Sequence, residues 1–195
     1  MDTPRFVELR FHLVGDTIPV DHGYHLYSSL SQELASIHES KELSIGLIRG
    51  RYAGNGKLEL LVNSYLTVRT PVEQLPGLLA LAGKKLLIDG HSLRLGTPQT
   101  VLLKPAAALY SHLVTTRNGQ DETRFDAEIR RQLTELGIEG NLTRGPRRTF
   151  SVHEKKVVGY SLLVDQLSAE ESIKLQESGL GGRRKMGCGI FSPRR

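Results

Sequence analysis

Thirteen residues from Gly179 to Phe191 (GLGGRRKMGCGIF) join two kinds of chemistry. Two glycine pairs each bracket an apolar residue, Gly179-Leu180-Gly181 and Gly187-Cys188-Gly189, with five residues between them. Glycine admits positive φ and lets backbone N–H groups approach a phosphate with no Cβ in the way. Arg183, Arg184 and Lys185 set cations beside those amides, an arrangement suited to a sugar-phosphate backbone. A nucleoside triphosphate site is a poor match. G-x-x-x-x-G-K-[ST] is absent, and G-x-G-x-x-G fails because position 184 is arginine. The same glycines would also serve a tight helix-to-strand connection by geometry alone.

Histidine is the side chain best suited to proton transfer near neutral pH, and seven compete: His12, His22, His25, His38, His91, His112 and His153. His12, His112 and His153 fall in predicted strands and read as structural or surface residues, and His91 lies in a turn beside Gly90. His22, His25 and His38 belong to the first predicted helix or its end, His22 at its entry. His38 follows Ile37, the last residue of that helix's apolar face. It therefore points off the core near the helix C-terminus, where the macrodipole favours a cation. H-E-x-x-H, G-x-S-x-G, a cysteine pair and a two-metal carboxylate cluster are all missing. No metal or cofactor is expected.

Charge points the same way as the loop. The 195 residues carry 26 lysines and arginines against 21 acids, a net +5. Five basic residues and no acid occupy Gly182 to Arg195 (Arg183, Arg184, Lys185, Arg194, Arg195), and Arg144, Arg147, Arg148, Lys155 and Lys156 face a single acid, Glu154. Such clustering suits a polyanionic partner, most simply nucleic acid, or else a solvated basic face. At 38% hydrophobic and 24% charged the chain can build real cores, as one large domain or two small ones. No apolar run approaches the roughly 18 to 20 residues that span a bilayer, and Met1 to Arg10 lacks a basic-then-apolar leader. The lone Cys188 excludes an internal disulfide framework. A soluble, cytoplasmic protein without membrane attachment is expected.

The elements that must position these residues follow from periodicity. Phe6 to Val14 alternates as a half-buried strand. Leu26, Leu30, Leu34 and Ile37 mark one face of a helix beginning near Asp21. Ser44 to Arg49 reads as a short strand, and Asn55-Gly56 as a turn before a strand over Lys57 to Thr67. Thr70-Pro71-Val72-Glu73 has the form of a capping box opening a helix that ends at Gly83. Lys85 to Asp89 and Ser92 to Lys104 are strands around Gly90. The order β-α-β-β-α-β then repeats. It runs through strand Ala108 to Thr115, helix Asp121 to Leu136, and strands Arg148 to His153 and Val157 to Leu167. A capped helix from Ser168 to Gly179 and a short strand Gly189 to Ser192 complete it. The expected class is α+β, with two tandem ferredoxin-like (βαββαβ) domains, 1–104 and 105–195.

A G-h-G-x5-G-h-G loop with internal cations, placed after the last helix of a second such unit, resembles the repeat-associated (RAMP) RNA-binding superfamily of CRISPR systems. The whole chain is similar to its repeat-processing endoribonucleases. Asp21-His22-Gly23-Tyr24-His25-Leu26-Tyr27 and Ser168-Ala169-Glu170-Glu171-Ser172 share in the resemblance. It implies binding of the repeat RNA, often a short stem-loop, and one metal-independent cut per repeat. The cut would proceed by 2′-OH attack and leave a 2′,3′-cyclic phosphate and a 5′-OH. It also implies a catalytic histidine on or just after the first helix, which fits His38, paired in some relatives with a tyrosine or lysine. Tyr27 is the tyrosine candidate. Yet eleven residues of unbroken helix would set it about 16 Å along the axis from His38. The two meet only if the helix breaks, and otherwise Tyr27 is a core or RNA-stacking residue. His25, Lys41 and Ser31 remain alternatives, as does His38 acting alone beside the loop cations.

Gly179, Gly181, Gly182, Arg183, Arg184, Lys185, Gly187 and Gly189 are then expected to hold the RNA. Arg144, Arg147 and Arg148, flanking Gly145-Pro146 ahead of a strand, are expected to reach an A-form groove. Tyr52, next to Arg49 and Arg51, is a base-stacking residue or an ordinary loop tyrosine. Other subunits of a CRISPR effector complex are the implied protein partners. A non-catalytic subunit that only binds repeat or guide RNA is the alternative function, and a ferredoxin-like protein-interaction module is a third.

Overall fold

Apolar residues at alternate positions of FVELRFHLV put Val7, Leu9, Phe11 and Leu13 on one buried face of β1 (Phe6–Val14), as period-two patterning requires. The computed structural model describes residues 5–153 and 155–193. The turn residue Glu154 and the tail residues Arg194 and Arg195, which figured among the basic clusters, lie outside the described residues, as do the first four. The chain divides into two compact units between Leu102 and Leu103.

The first unit continues with β2 (Thr17–Pro19), α1 (Gly23–Glu33), α2 (Ser36–Glu39), β3 (Ser44–Ile45), β4 (Arg51–Gly54), β5 (Lys57–Glu59), β6 (Tyr65–Pro71), α3 (Leu75–Leu78), β7 (Lys85–Ile88) and β8 (His91–Leu102). Five strands form an antiparallel sheet in the order β3-β6-β1-β8-β7, and β2-β5-β4 make a separate small sheet. The core draws Leu9, Phe11 and Leu13 from β1, Leu66 and Val68 from β6 and Leu93 and Leu95 from β8, with Leu26, Leu30 and Ile37 closing it. On the opposite side of β1, Glu8 is nearly buried and meets Arg69 at 2.6 Å and Arg10 at 3.0 Å. Burial opposes its charge, but the Arg69 guanidinium, then Arg10, hold the carboxyl below its ordinary value.

Four elements here depart from the sequence reading. The first helix is not continuous: Leu34 turns extended (φ −148, ψ 103). A one-turn helix then returns Ile37 to the core. The residues from Lys57 to Thr67 are not one strand, because Asn63 and its neighbours turn the chain from the small sheet into the main one. The Thr70-Pro71 capping box does not form. Pro71 ends β6, and the helix behind it is broken into 3₁₀ turns at Val72–Gln74 and Leu79–Leu81 around the single turn of α3. The strand at Ser44 ends at Ile45.

The second unit holds β9 (Ala108–Val114), α4 (Glu122–Glu135), β10 (Asn141–Val152), β11 (Lys155–Asp165), α5 (Ala169–Ser178) and β12 (Ser192–Pro193). Its antiparallel sheet runs β10-β11-β9-β12. Phe125, Ile129 and Leu133, one face of α4, pack with Leu162, Val164 and Leu175. The Ser168 capping box is present: its hydroxyl accepts from Glu171 N–H while the Glu171 carboxylate accepts from Ser168 N–H. Glu171 also accepts from Glu139 N–H at 2.7 Å, and these bonds bring its carboxyl down to about 2. β10 begins at Asn141, seven residues before the expected start, so Arg144, Gly145, Pro146 and Arg147 belong to a bulged edge strand and not to a loop. The last strand is Ser192–Pro193, which shares only Ser192 with the expected Gly189 to Ser192.

Candidate functional site

The break at Leu34 brings Tyr27 and His38 together. Tyr27 sits on α1 with its ring against the edge of the first core. Ile37 is buried at the next residue's side, which turns His38 outward to the exposed end of α2. Tyr27 Oη and His38 Nδ1 are 2.7 Å apart, and the two rings lie within 25° of parallel. The hydroxyl donates when the imidazole proton is on Nε2 and accepts when it is on Nδ1. Because α2 is a single turn, the long helix dipole expected behind His38 is not there.

The other histidines have different surroundings. His22 is 1% exposed. Its Nδ1 lies 2.8 Å from Pro19 O and 3.1 Å from Val20 O, and its Nε2 accepts from Ile48 N–H at 3.0 Å. This is the neutral imidazole used as a brace between the α1 entry and the chain leaving β3. Burial lowers its pKa, against the carbonyls of Pro19 and Val20. His25 is exposed and edge-on to Tyr24. His91 Nδ1 bonds Thr17 Oγ1 at 2.9 Å. Ser31, one turn after Tyr27 on α1, has a buried Oγ without a hydrogen bond. Lys41 is exposed beyond α2.

The glycine-rich loop is built from its apolar residues inward. Leu180 is buried in the second core, and Cys188 packs with Leu113 and Phe150 in a smaller cluster beside Met186. The four glycines flanking these two pegs have positive φ, and Gly179, Gly181 and Gly189 have no room for a side chain. A Cβ on Gly181 would stand 2.3 Å from Thr115 O, one on Gly189 2.0 Å from Leu180 O, and one on Gly179 2.4 Å from Gly189 O. Their amides point inward as well. Gly179 N–H donates to Leu175 O, Gly181 N–H to Gln132 Oε1, Gly182 N–H to Thr115 O and Gly189 N–H to Leu113 O. The expectation that these amides face a phosphate is therefore corrected: backbone groups so buried must bond within the protein. What the loop presents is its middle. Arg183, in the left-handed region at φ 60, is exposed, and Arg184 and Lys185 form the 3₁₀ turn that ends at Gly187. Arg184 donates to Ser178 O. Burial, then Arg184 beside it, lower the Lys185 pKa.

Of the three arginines on β10, Arg144 is engaged. It pairs with Glu122 at 2.8 Å and Asp126 at 3.0 Å on α4 and lies over the Tyr160 ring at 4.9 Å. These contacts hold its side chain between β10 and α4. Arg147 is exposed and donates to Gln120 Oε1 at 2.9 Å. Arg148 is half-buried, with a buried Nε that has no hydrogen bond. Tyr52, 67% exposed on the small sheet, is solvent-facing. The contact of the half-buried Gln132 with the loop had no signal in the sequence, because Gln132 is one of several polar residues on the outer side of α4.

Antiparallel sheets with helices in this connectivity, and a loop pegged between α5 and β12, define a RAMP-type fold. A solved structure described as a RAMP protein binding different RNA substrates superposes with a TM-score of 0.68 at 15% identity, covering 98% of this chain and 100% of that one. A CRISPR associated protein Cas6 superposes at 0.67 and 11% identity, covering 98% and 99%. The family model described as Cas6 Crispr matches residues 7–195. The CRISPR-associated endonuclease Cas6 of Myxococcus xanthus (strain DK1622) is 40% identical over 188 residues, 96% of this chain and 81% of the relative. The chain belongs to the Cas6 family, as the loop and helix-start motifs implied.

Proposed function

We propose that the protein is a CRISPR repeat-RNA endonuclease that cuts its precursor transcript once per repeat without a metal ion. The observation that carries this is the 2.7 Å bond between Tyr27 Oη and His38 Nδ1. A hydroxyl fixing one imidazole nitrogen orients the ring and sets which nitrogen exchanges the proton. With Nδ1 taken, Nε2 serves the transfer. The 2′-OH of the nucleotide before the cut loses its proton and attacks the adjacent phosphorus. The bond to the 5′ oxygen breaks and that oxygen gains a proton, leaving a 2′,3′-cyclic phosphate and a 5′-OH. His38 moves a proton in this displacement. Arg183, Arg184 and Lys185 supply positive charge for RNA and its transition state, joined by Arg147 and Arg148.

The two units read as tandem ferredoxin-like domains, of residues 1–102 and 103–195. The support is their shared strand order: in each sheet the second and third strands of the βαββαβ run precede the first and fourth. Cytoplasmic action on a repeat stem-loop, with other CRISPR effector subunits bound afterwards, completes the proposal. The Myxococcus relative's description as an endonuclease favours cutting over the non-catalytic RNA-binding alternative.

The test is cleavage of the cognate repeat RNA in EDTA, wild type beside His38→Ala, with affinity followed in parallel. Cleavage by the wild type that is lost in the variant while binding is kept supports the assignment. Cleavage that survives the substitution removes His38. Binding with no wild-type cut makes the protein a repeat-RNA-binding subunit.

A further inference from the structure

We infer that Gln132 is a positioning residue that sets the path of the glycine-rich loop from outside it. This rests on the reading that the loop's cations contact RNA. α4 turns Leu133 into the core and leaves Glu128, Arg131, Gln132 and Glu135 on its outer side. Arg131 forks onto Glu128 at 2.7 and 2.9 Å and also bonds Glu135. Glu128 is thereby held as a fixed carboxylate, with hydrogen bonds from Arg131 and then Gln132 taking its pKa to about 2.

An ionised carboxylate only accepts hydrogen bonds, so the Gln132 amide must present its NH₂ group to it. Nε2 donates to Glu128 Oε1 at 2.7 Å. The opposite end of the amide is then an acceptor by necessity, and Oε1 takes Gly181 N–H at 2.7 Å. Gly181 holds φ 72 and lies so close to Thr115 O that an added Cβ would stand 2.3 Å from it. Gly182 N–H is bound to the same carbonyl at 2.9 Å. The chain is thus pinned on both sides immediately before Arg183, whose carbonyl accepts from both Met186 and Cys188 N–H to close the cationic turn. The Thr115 anchor is backbone. The Gln132 anchor is a side chain, and it makes the direction of the cations depend on a residue 49 positions earlier.

The experiment is a cycle on affinity for a synthetic RNA of the host's CRISPR repeat. It compares wild type, Gln132→Ala, the triple variant Arg183→Ala/Arg184→Ala/Lys185→Ala, and all four changes together. Gln132→Ala is expected to weaken binding about fivefold to tenfold and to add nothing in the triple background. The amide of Gly181 should exchange faster in Gln132→Ala. Glu128→Gln/Gln132→Glu restores a donor at 128 and an acceptor at 132, and is expected to recover most of the affinity. Additive losses, with equal cost in both backgrounds, would overturn the inference and leave a general structural role. A triple variant that weakens binding beside a neutral Gln132→Ala also overturns it while the RNA-contacting loop stands. A triple variant with wild-type affinity overturns the loop reading itself, and the inference with it.

Discussion

Tyr27 and His38 are eleven positions apart in sequence and 2.7 Å apart in space. A single extended residue, Leu34, accounts for the difference, because it lets the chain fold back before the one-turn α2. The ring of Tyr27 is packed at the edge of the core, and its hydroxyl meets the imidazole of the exposed His38.

Tyr27→Phe keeps that packing and removes only the hydroxyl. Turnover of repeat RNA is expected to fall about tenfold, the worth of one well-made hydrogen bond, with affinity and thermal stability unchanged. His38→Ala is expected to reduce turnover by about 10² to 10⁴. Single-turnover cleavage at saturating protein separates the two effects from binding. An unchanged rate in Tyr27→Phe would make the contact incidental.

His22 links stability to pH. Its pKa is lowered in the folded chain, chiefly by burial, from an ordinary value of 6.5. Below that value the unfolded chain takes up a proton that the folded chain resists, so stability rises with pH in this window. The contribution is complete above pH 6.5 and is lost as pH falls through the folded value. His22→Ala should be less stable near neutrality and lose less on acidification. Urea midpoints at several pH values test this, and parallel curves for the two proteins would reject it.

Glycines in the loop differ in what they tolerate. Gly181→Ala and Gly189→Ala drive a Cβ into backbone carbonyls at positive φ, and each is expected to destabilise by at least about 2 kcal/mol. Nothing lies within 4 Å of a Cβ on Gly182, and Gly182→Ala should stay within about 0.5 kcal/mol of wild type. Thermal unfolding of the three variants ranks them. A similar loss at all three would mean that the loop is not held by these contacts.

The β10 arginines separate stability from binding. Arg147→Ala should weaken repeat-RNA binding across sequences and reduce the salt slope by about 1, as loss of one phosphate contact does. Arg144→Ala should leave that slope alone and lower the unfolding midpoint, because it removes both ion pairs to α4 and the cover on Tyr160. The reverse pattern would exchange their roles.

Much of this was legible in one dimension. Alternation in β1, the apolar face of α4 and the Ser168 capping box are set by neighbours within a few residues, and each formed where patterning placed it. Leu26, Leu30, Leu34 and Ile37 all reach the first core as their spacing requires. That spacing reports burial and not continuity of the backbone, so the break at Leu34 left no mark. The Thr70-Pro71 motif misled because a strand-pairing partner, β1, held those residues extended against a local helix signal.

By itself, the sequence determined the alternation of β1, the apolar faces of the first helix and of α4, the glycine loop with its three cations, and the histidines from which a proton carrier could be drawn. Tertiary structure alone decided which of them meet. It joined Tyr27 to His38, turned the glycine amides inward, tied Arg144 to α4 and set Gln132 under Gly181. The physical reason is range. Periodicity and capping act over one or two turns, whereas a hydrogen bond between distant residues exists only after burial of Ile37, Leu180 and Cys188 has fixed the backbone that carries it.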